Sequence, residues 1–328
     1  MVKPVLAALL LVPALALATN PPGAPRDGWA RYSVPMAARG GGPCCYDISA
    51  DNVSRRGCDL ERGGGISVHT GGDTASPADG VLDVYLHYDA GVVDRIQAFA
   101  SQCPVRAKSA PVALNDVSTG ASIALLRHLA QQSPNARETS SGAILALAHH
   151  AGEPATDALI DLARAAPREA RRDAVFWLAQ NRGRRGAREV ERIARGDETD
   201  TLREHAVFAL SQTDTIDGYA AIADIARTDR SSHIRAQALF WMAQTGDPRA
   251  RAAILTALST DASAKVREQA VFALSQLEQD ADAALIDVVR GDYPREAKKK
   301  ALFWLGQSGS AEALAMLDDL LGSEQRRR

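Results

Sequence analysis

The chain has 328 residues, 46% hydrophobic and 24% charged, with a formal net charge of −2. It is longer than one typical domain, and its composition is that of an ordinary folded chain. The near-neutral charge excludes a dedicated nucleic-acid binder, which carries a strong basic excess.

Residues 1–18 carry an export pattern. Lys3 forms a short basic region, Val5–Leu15 is apolar, and Ala16-Leu17-Ala18 places small residues at the cleavage-determining positions. Cleavage is expected after Ala18, with the mature chain starting at Thr19 in the periplasm or outside the cell. The apolar stretch falls short of the roughly 20 residues that span a bilayer, and Pro13 interrupts it. No stable membrane insertion is expected after cleavage. The first cysteine is Cys44, so the cleavage point offers no site for a lipid anchor.

Residues 19–117 read as a small, β-rich and irregular segment. "TNPPGAPRDGWARYSVP" (19–35) is dominated by Pro and Gly and reads as a flexible terminus. Glycine triplets at 40–42 and 63–65 mark loops, and neither precedes a Lys-Ser or Lys-Thr at phosphate-loop spacing. Strands are expected at 66–70, 81–88 and 92–100. The last two flank Asp89-Ala90-Gly91, which reads as a hairpin turn.

All four cysteines, Cys44, Cys45, Cys58 and Cys103, lie in this segment. An even count in an oxidising compartment predicts two disulfides. A Cys44–Cys45 bond would close a strained ring across one peptide bond, so each is expected to bond Cys58 or Cys103. That leaves two pairings open. A metal site assisted by His69 or His87 is the alternative, but adjacent cysteines at wide spacing match no zinc pattern. No metal and no cofactor is expected.

Residues 118–328 are periodic. "AVFWLAQ" (174–180), "AVFALSQ" (206–212), "ALFWMAQ" (238–244), "AVFALSQ" (270–276) and "ALFWLGQ" (301–307) place phenylalanines at 176, 208, 240, 272 and 303. "AILALAH" (143–149) fits one unit earlier. Second apolar segments fall between the copies, at 155–164, 187–195, 219–227, 251–259, 283–290 and 312–321. Each unit is therefore two amphipathic helices, at a period of 31 to 32 residues. That is shorter than a tetratricopeptide unit, and the ankyrin phrase is missing.

An Asp stands six residues before a base in four units: Asp197 with Arg203, Asp229 with Arg235, Asp261 with Arg267, and Asp292 with Lys298. An acid in the turn before a helix and a base in its first turns can bond along a stack. The pattern resembles the HEAT-repeat ladder, and the short period resembles the HEAT-like repeats named after phycobilin lyases, over about residues 138–328. The resemblance implies a mainly α chain: an α/α superhelical solenoid, preceded by the small β-containing, disulfide-bonded segment. It also implies that the second helix of each unit lines the concave surface. The first units depart from the pattern, with Ala165 six residues before Arg171 and Ser140 in place of a base. They read as a cap or joint.

On the second helix, Val266, Ala270, Ala273, Leu274 and Leu277 share one face. The position of Ala273 alternates as Trp177, Ala209, Trp241, Ala273, Trp304, and the next small position as Ala179, Ser211, Ala243, Ser275, Gly306. Large beside small suits interdigitated packing, so the tryptophans are expected in the core. Phe272 and Gln276 lie off that stripe, and the phenylalanines are expected to pack on the next unit. Gln180, Gln212, Gln244, Gln276 and Gln307 form a column at the helix ends, where free carbonyls want donors. On a concave surface the same column can bond the backbone of an extended peptide.

Catalytic patterns are absent. His149 and His150 are adjacent, no H-x-x-x-H pair exists, and no serine sits in a G-x-S-x-G elbow. HEAT-like di-iron hydroxylases carry His-Glu dipeptides, whereas this chain has Glu204-His205 in the reverse order. The expectation is a non-catalytic scaffold that binds a protein or peptide, with no nucleic acid. The alternative is an enzyme or accessory subunit with a site around Cys44, Cys45, Cys58, Cys103 and His69.

Overall fold

The computed structural model describes residues 20–37, 42–49, 52–55, 57–62, 80–132, 137–196, 199–213 and 216–325. The expected export segment, the strand at 66–70, His69, Asp197 and the terminal arginines lie outside them. The chain divides into two compact units between Ala143 and Ile144.

The first unit holds the strands β1 (Gly28–Pro35), β2 (Tyr46–Ser49), β3 (Asn52–Arg55), β4 (Cys58–Asp59), β5 (Val81–Asp89), β6 (Val92–Ala100), β7 (Val105–Arg106) and β8 (Val112–Ala113). They form a four-stranded sheet in the order β6-β5-β1-β8 and the two pairs β2-β3 and β4-β7. Strands β5 and β6 form the expected hairpin. Its turn residues Ala90 and Gly91 both take positive φ, 49° and 83°, as a two-residue turn matched to strand twist requires.

The flexible terminus expected at 19–35 is instead, from Gly28 on, a central strand of that sheet, antiparallel to β5 and parallel to β8. Ala30, Tyr32 and Val34 are buried in strict alternation, a period-two signal that the Pro and Gly content of the segment outweighed. Strand β5 is buried on both faces, which is why its alternation is loose. Leu82, Val84 and Leu86 share a face with Tyr32, whose hydroxyl meets Ser122 Oγ at 3.0 Å. Trp29, Tyr85 and Phe99 lie on the other face, against the four cysteines.

Helix α1 (Thr119–Gln132) and the start of α2 (Arg137–His149) belong with this sheet. Gly142 is required at its position: a Cβ there would collide with the main-chain carbonyl of Ile96 on β6.

The second unit continues as α3 (Glu153–Ala165), α4 (Arg168–Asn181), α5 (Gly183–Arg195), α6 (Asp200–Ser211), α7 (Ile216–Thr228), α8 (Ser232–Ala243), α9 (Ala250–Thr260), α10 (Ala264–Ser275), α11 (Ala281–Arg290), α12 (Arg295–Ser308) and α13 (Ala311–Gln325). Helices pair in sequence, and α4, α6, α8, α10 and α12 each pack on the next, as in an α/α solenoid. Their starts follow Pro167, Thr199, Ser231, Ser263 and Pro294, residues that fit a helix entry. Ala174, Leu178, Ala206, Leu210, Leu239, Met242, Ala270, Leu274 and Leu305 form the continuous core stripe.

The tryptophans do not sit in that core. Trp177, Trp241 and Trp304 are half-buried, while Ala209 and Ala273 at the equivalent positions are fully buried. An indole here outreaches the core stripe and extends to the preceding unit, with Trp241 at 4.7 Å from Phe208 and Trp304 at 5.2 Å from Phe272. The large-small alternation is real, but its large members lie at the edge.

Candidate functional site

A chain of eight aromatic rings crosses the second helices α4 to α12. Phe176 and Phe208 stack across units at 6.2 Å and 15°, and Phe240 and Phe272 at 5.8 Å and 1°. Trp241 bridges Phe208 and Phe240 at 4.7 and 4.9 Å. Trp177 lies 5.3 Å from Phe176, and Trp304 lies 5.2 Å from both Phe272 and Phe303. Phenylalanine meets phenylalanine inside each pair of units, and tryptophan meets phenylalanine between pairs. Each such contact adds about 0.5–1.5 kcal/mol beyond burial. Seven of the rings are half-buried and Phe303 is 57% exposed, so the stripe keeps a wet side.

The glutamine column runs beside this stripe, because residues four apart on a helix are neighbours. Gln180 Nε2 donates to the Gln212 carbonyl at 2.6 Å, and Gln244 Nε2 to the Gln276 carbonyl at 3.2 Å. Gln212 and Gln276 instead donate to their neighbours Ser211 and Ser275 at 3.1 Å, whose hydroxyls bond the Phe208 and Phe272 carbonyls. In the first role the glutamine amide serves a carbonyl at a helix end, and in the second the serine hydroxyl does. Gln307 lines a cleft of about 510 Å³ with Trp304, Ser275, Asp282, Ser308 and Glu312. The column is exposed at Gln212, Gln244 and Gln307.

Two ion pairs between units border the stripe. Glu204 bonds His233, and Glu268 bonds Lys300 of the next unit. The face is therefore aromatic and amide-lined, with these two ion pairs at its border.

The ladder lies away from this face. Arg203, only 2% exposed, bonds Asp229 of the next unit and donates Nε to the Ala194 carbonyl at 2.9 Å. Arg235 grips Asp261 with two bonds of 2.7 and 2.9 Å and donates to the Asp229 carbonyl at 2.8 Å. The Arg235 guanidinium holds the Asp261 carboxyl below its ordinary range. Arg267 donates to the Asp261 carbonyl at 2.6 Å, but among the described residues no bond joins it to Asp292. Asp292 follows Arg267 by 25 residues, against 26 in the two pairs that form. Lys298 likewise makes no ion pair among the described residues. Asp229, Arg235 and Asp261 also line a cleft of about 530 Å³ with Leu239 and Met242 at its floor.

One histidine caps the end of the stripe and another flanks it. His149 is buried, edge-on to Trp177 at 5.6 Å, with Asn181 Nδ2 at 3.2 Å from its Nε2. Burial, with help from the Arg182 charge, pushes its pKa down to about 3. His205 faces Phe208 at 5.8 Å and meets the Arg172 carbonyl at 2.9 Å.

In the first unit the pairings are Cys44–Cys103 and Cys45–Cys58. Among the described residues no cysteine is free, and the one group of His, Cys, Asp or Glu ligand atoms drawn within 4.8 Å is Cys44, Cys58 and Cys103. His87 is held elsewhere, by Asp94 at 2.7 Å.

The continuous ring chain is what the sequence reading missed. Its signal was present: adjacent Phe and Trp lie 100° apart on a helix, so both cannot point into one narrow core stripe.

A family model for HEAT repeats matches residues 219–290. Comparison with curated proteins gives no match. Among solved structures, YibA of E. coli aligns at 20% identity and a TM-score of 0.33, over 50% of this chain and 63% of its own. Human deoxyhypusine hydroxylase aligns at 16% and 0.31, over 62% and 82%. The CpcE–CpcF complex of phycocyanin lyase from Nostoc sp. PCC7120 aligns at 21% and 0.30, over 60% and 80%. The chain thus spans less than two thirds of YibA, and at these scores none of the three bears on what this chain does. The matched repeats, the ladder and the stacked helix pairs agree: residues 219–290 carry HEAT repeats, and the helices α3 to α13 pair and stack as in an α/α solenoid.

Proposed function

We propose that the helical unit is a non-catalytic scaffold that binds an extended polypeptide segment along the aromatic stripe. The observation that carries this reading is the unbroken run of eight half-wet rings from Trp177 to Phe303. The rings join successive units and still leave an exposed side, on which apolar or proline side chains of an extended peptide pack well. The exposed amides beside it supply main-chain hydrogen bonds. The paired border charges favour a partner segment of low net charge. The export pattern at 1–18 and the two disulfides support a setting outside the cytoplasm.

The test is selection from a displayed peptide library on the whole protein, followed by binding to a Phe240→Ala/Trp241→Ala variant. Selected peptides should be apolar or proline-rich and lose at least about tenfold in affinity, the worth of 1.4 kcal/mol. Circular dichroism checks that the variant stays folded. Equal binding to a folded variant would reject the reading.

A further inference from the structure

The two disulfides of the first unit are not separate staples. Cys58 Sγ lies 3.7 Å from Cys103 Sγ, across the gap between the two bonds, which is van der Waals contact for sulfur. All four cysteines sit in one buried cluster, 2 to 7% exposed, beneath Trp29, Leu60, Tyr85 and Phe99.

Main-chain bonds reach Cys103 from two sides: Ala100 N donates to the Pro43 carbonyl at 2.9 Å, next to Cys44, and the segment of Cys58 pairs directly with the residues after Cys103. Cys58 begins β4, which pairs in parallel with β7 in the register Cys58–Val105 and Asp59–Arg106. Cys58 N donates to the Pro104 carbonyl at 2.7 Å and Leu60 N to the Arg106 carbonyl at 2.9 Å. The segments bearing Cys58 and Cys103 are therefore held together by main-chain bonds that survive loss of either disulfide. Cys44 and Cys45 are consecutive, and neighbouring Cα atoms about 3.8 Å apart are too close for an unstrained disulfide between them.

We propose that two-electron reduction converts this cluster into a Cys58–Cys103 disulfide and a Cys44/Cys45 dithiol, which is a binding site for a thiophilic electrophile, a trivalent arsenical. A dithiol reductant opens one disulfide and is itself oxidised to its disulfide, delivering two electrons and two protons. If Cys45–Cys58 opens, the Cys58 thiolate attacks Cys103 Sγ, forms Cys58–Cys103, and expels Cys44 as a thiolate that takes up a proton. If Cys44–Cys103 opens, the Cys103 thiolate attacks Cys58 Sγ and expels Cys45. Both routes end at the same species, because the attacking pair is the one in contact. The strand pairing gives that bond a high effective concentration, and the two released thiols cannot oxidise to each other without strain. Adjacent thiols are soft donors: they condense with phenylarsine oxide, forming two As–S bonds while the arsenic oxygen leaves with the two thiol protons as one water.

The test uses the whole oxidised protein. It is reduced with limiting dithiothreitol, trapped with N-ethylmaleimide, digested, and mapped by mass spectrometry. The two-thiol species should carry its labels on Cys44 and Cys45, with Cys58 still linked to Cys103. Labels on Cys45 and Cys58, or on Cys44 and Cys103, would overturn the exchange. So would passage from no thiols to four with no two-thiol species. The same species, left unlabelled, should take up one phenylarsine oxide per chain, and a Cys44→Ser/Cys45→Ser variant should lose that uptake while keeping Cys58–Cys103. Correct labelling without phenylarsine oxide uptake would overturn the ligand assignment.

Discussion

Gln180 donates its side-chain amide to the main-chain carbonyl of Gln212, one unit further along the solenoid. Gln244 does the same to Gln276, while Gln212 and Gln276 turn back to their neighbouring serines. The column thus alternates between linking units and closing its own helix end, in step with the Trp–Ala alternation. Gln180→Ala and Gln244→Ala should each destabilise by about 0.5–1 kcal/mol, the worth of one exposed hydrogen bond. Gln212→Ala and Gln276→Ala should cost less, because their bonds join no second unit and the serine hydroxyls keep their bonds to the Phe208 and Phe272 carbonyls. Urea unfolding of the four variants measures the difference.

The ladder should be uneven in the same way. Asp229→Ala removes the buried partner of the Arg203 guanidinium, leaving it the exposed Asp200 at 3.3 Å, and should cost about 3 kcal/mol. Asp292→Ala removes an acid with no ion pair among the described residues, and should fall within about 0.5 kcal/mol of the parent. Chemical denaturation of both variants checks the contrast.

Acid should weaken the helical unit before its carboxylates titrate. His149 is neutral in the fold, with a pKa near 3, against 6.5 as its ordinary value. As pH falls below 6.5 the unfolded chain takes up this proton and the fold does not, so stability drops until the folded pKa is reached. One such group contributes a slope of about 1.4 kcal/mol per pH unit across that window. Burial lowers His150 and His205 in the same direction, so they add to the slope. Unfolding free energies at pH 7, 6 and 5 should fall steadily, and His149→Gln should flatten the fall.

The close approach of α2 to β6 makes its own prediction. Gly142→Ala should cost about 1–3 kcal/mol, as overpacking does, although alanine favours a helix. Gly120→Ala, with open space at its Cβ, should be neutral or stabilising. Thermal melts of the two variants decide it.

Much of this was legible in the sequence. The 32-residue spacing of Phe176, Phe208, Phe240 and Phe272 fixes the helix pairs, because every layer needs the same apolar face. Asp229 and Asp261 announced the ladder by their offset from Arg235 and Arg267. The detail that the acid serves the arginine of the preceding unit depends on helix height, which spacing alone does not set. The disulfide pairing was open because Cys44 and Cys45 are equivalent in sequence. Strand β1 was hidden because its pairing partners, β5 and β8, come at least 45 residues later. The ring chain was hidden because contacts between Phe208 and Trp241 arise only when units stack.

The most direct measurement is acrylamide quenching of tryptophan fluorescence in a Trp29→Phe background, where Trp177, Trp241 and Trp304 are the remaining emitters. With a library-selected peptide bound, quenching of these three should fall together, because the ligand covers the stripe they share. A peptide that binds tightly while leaving their quenching unchanged would contradict the account.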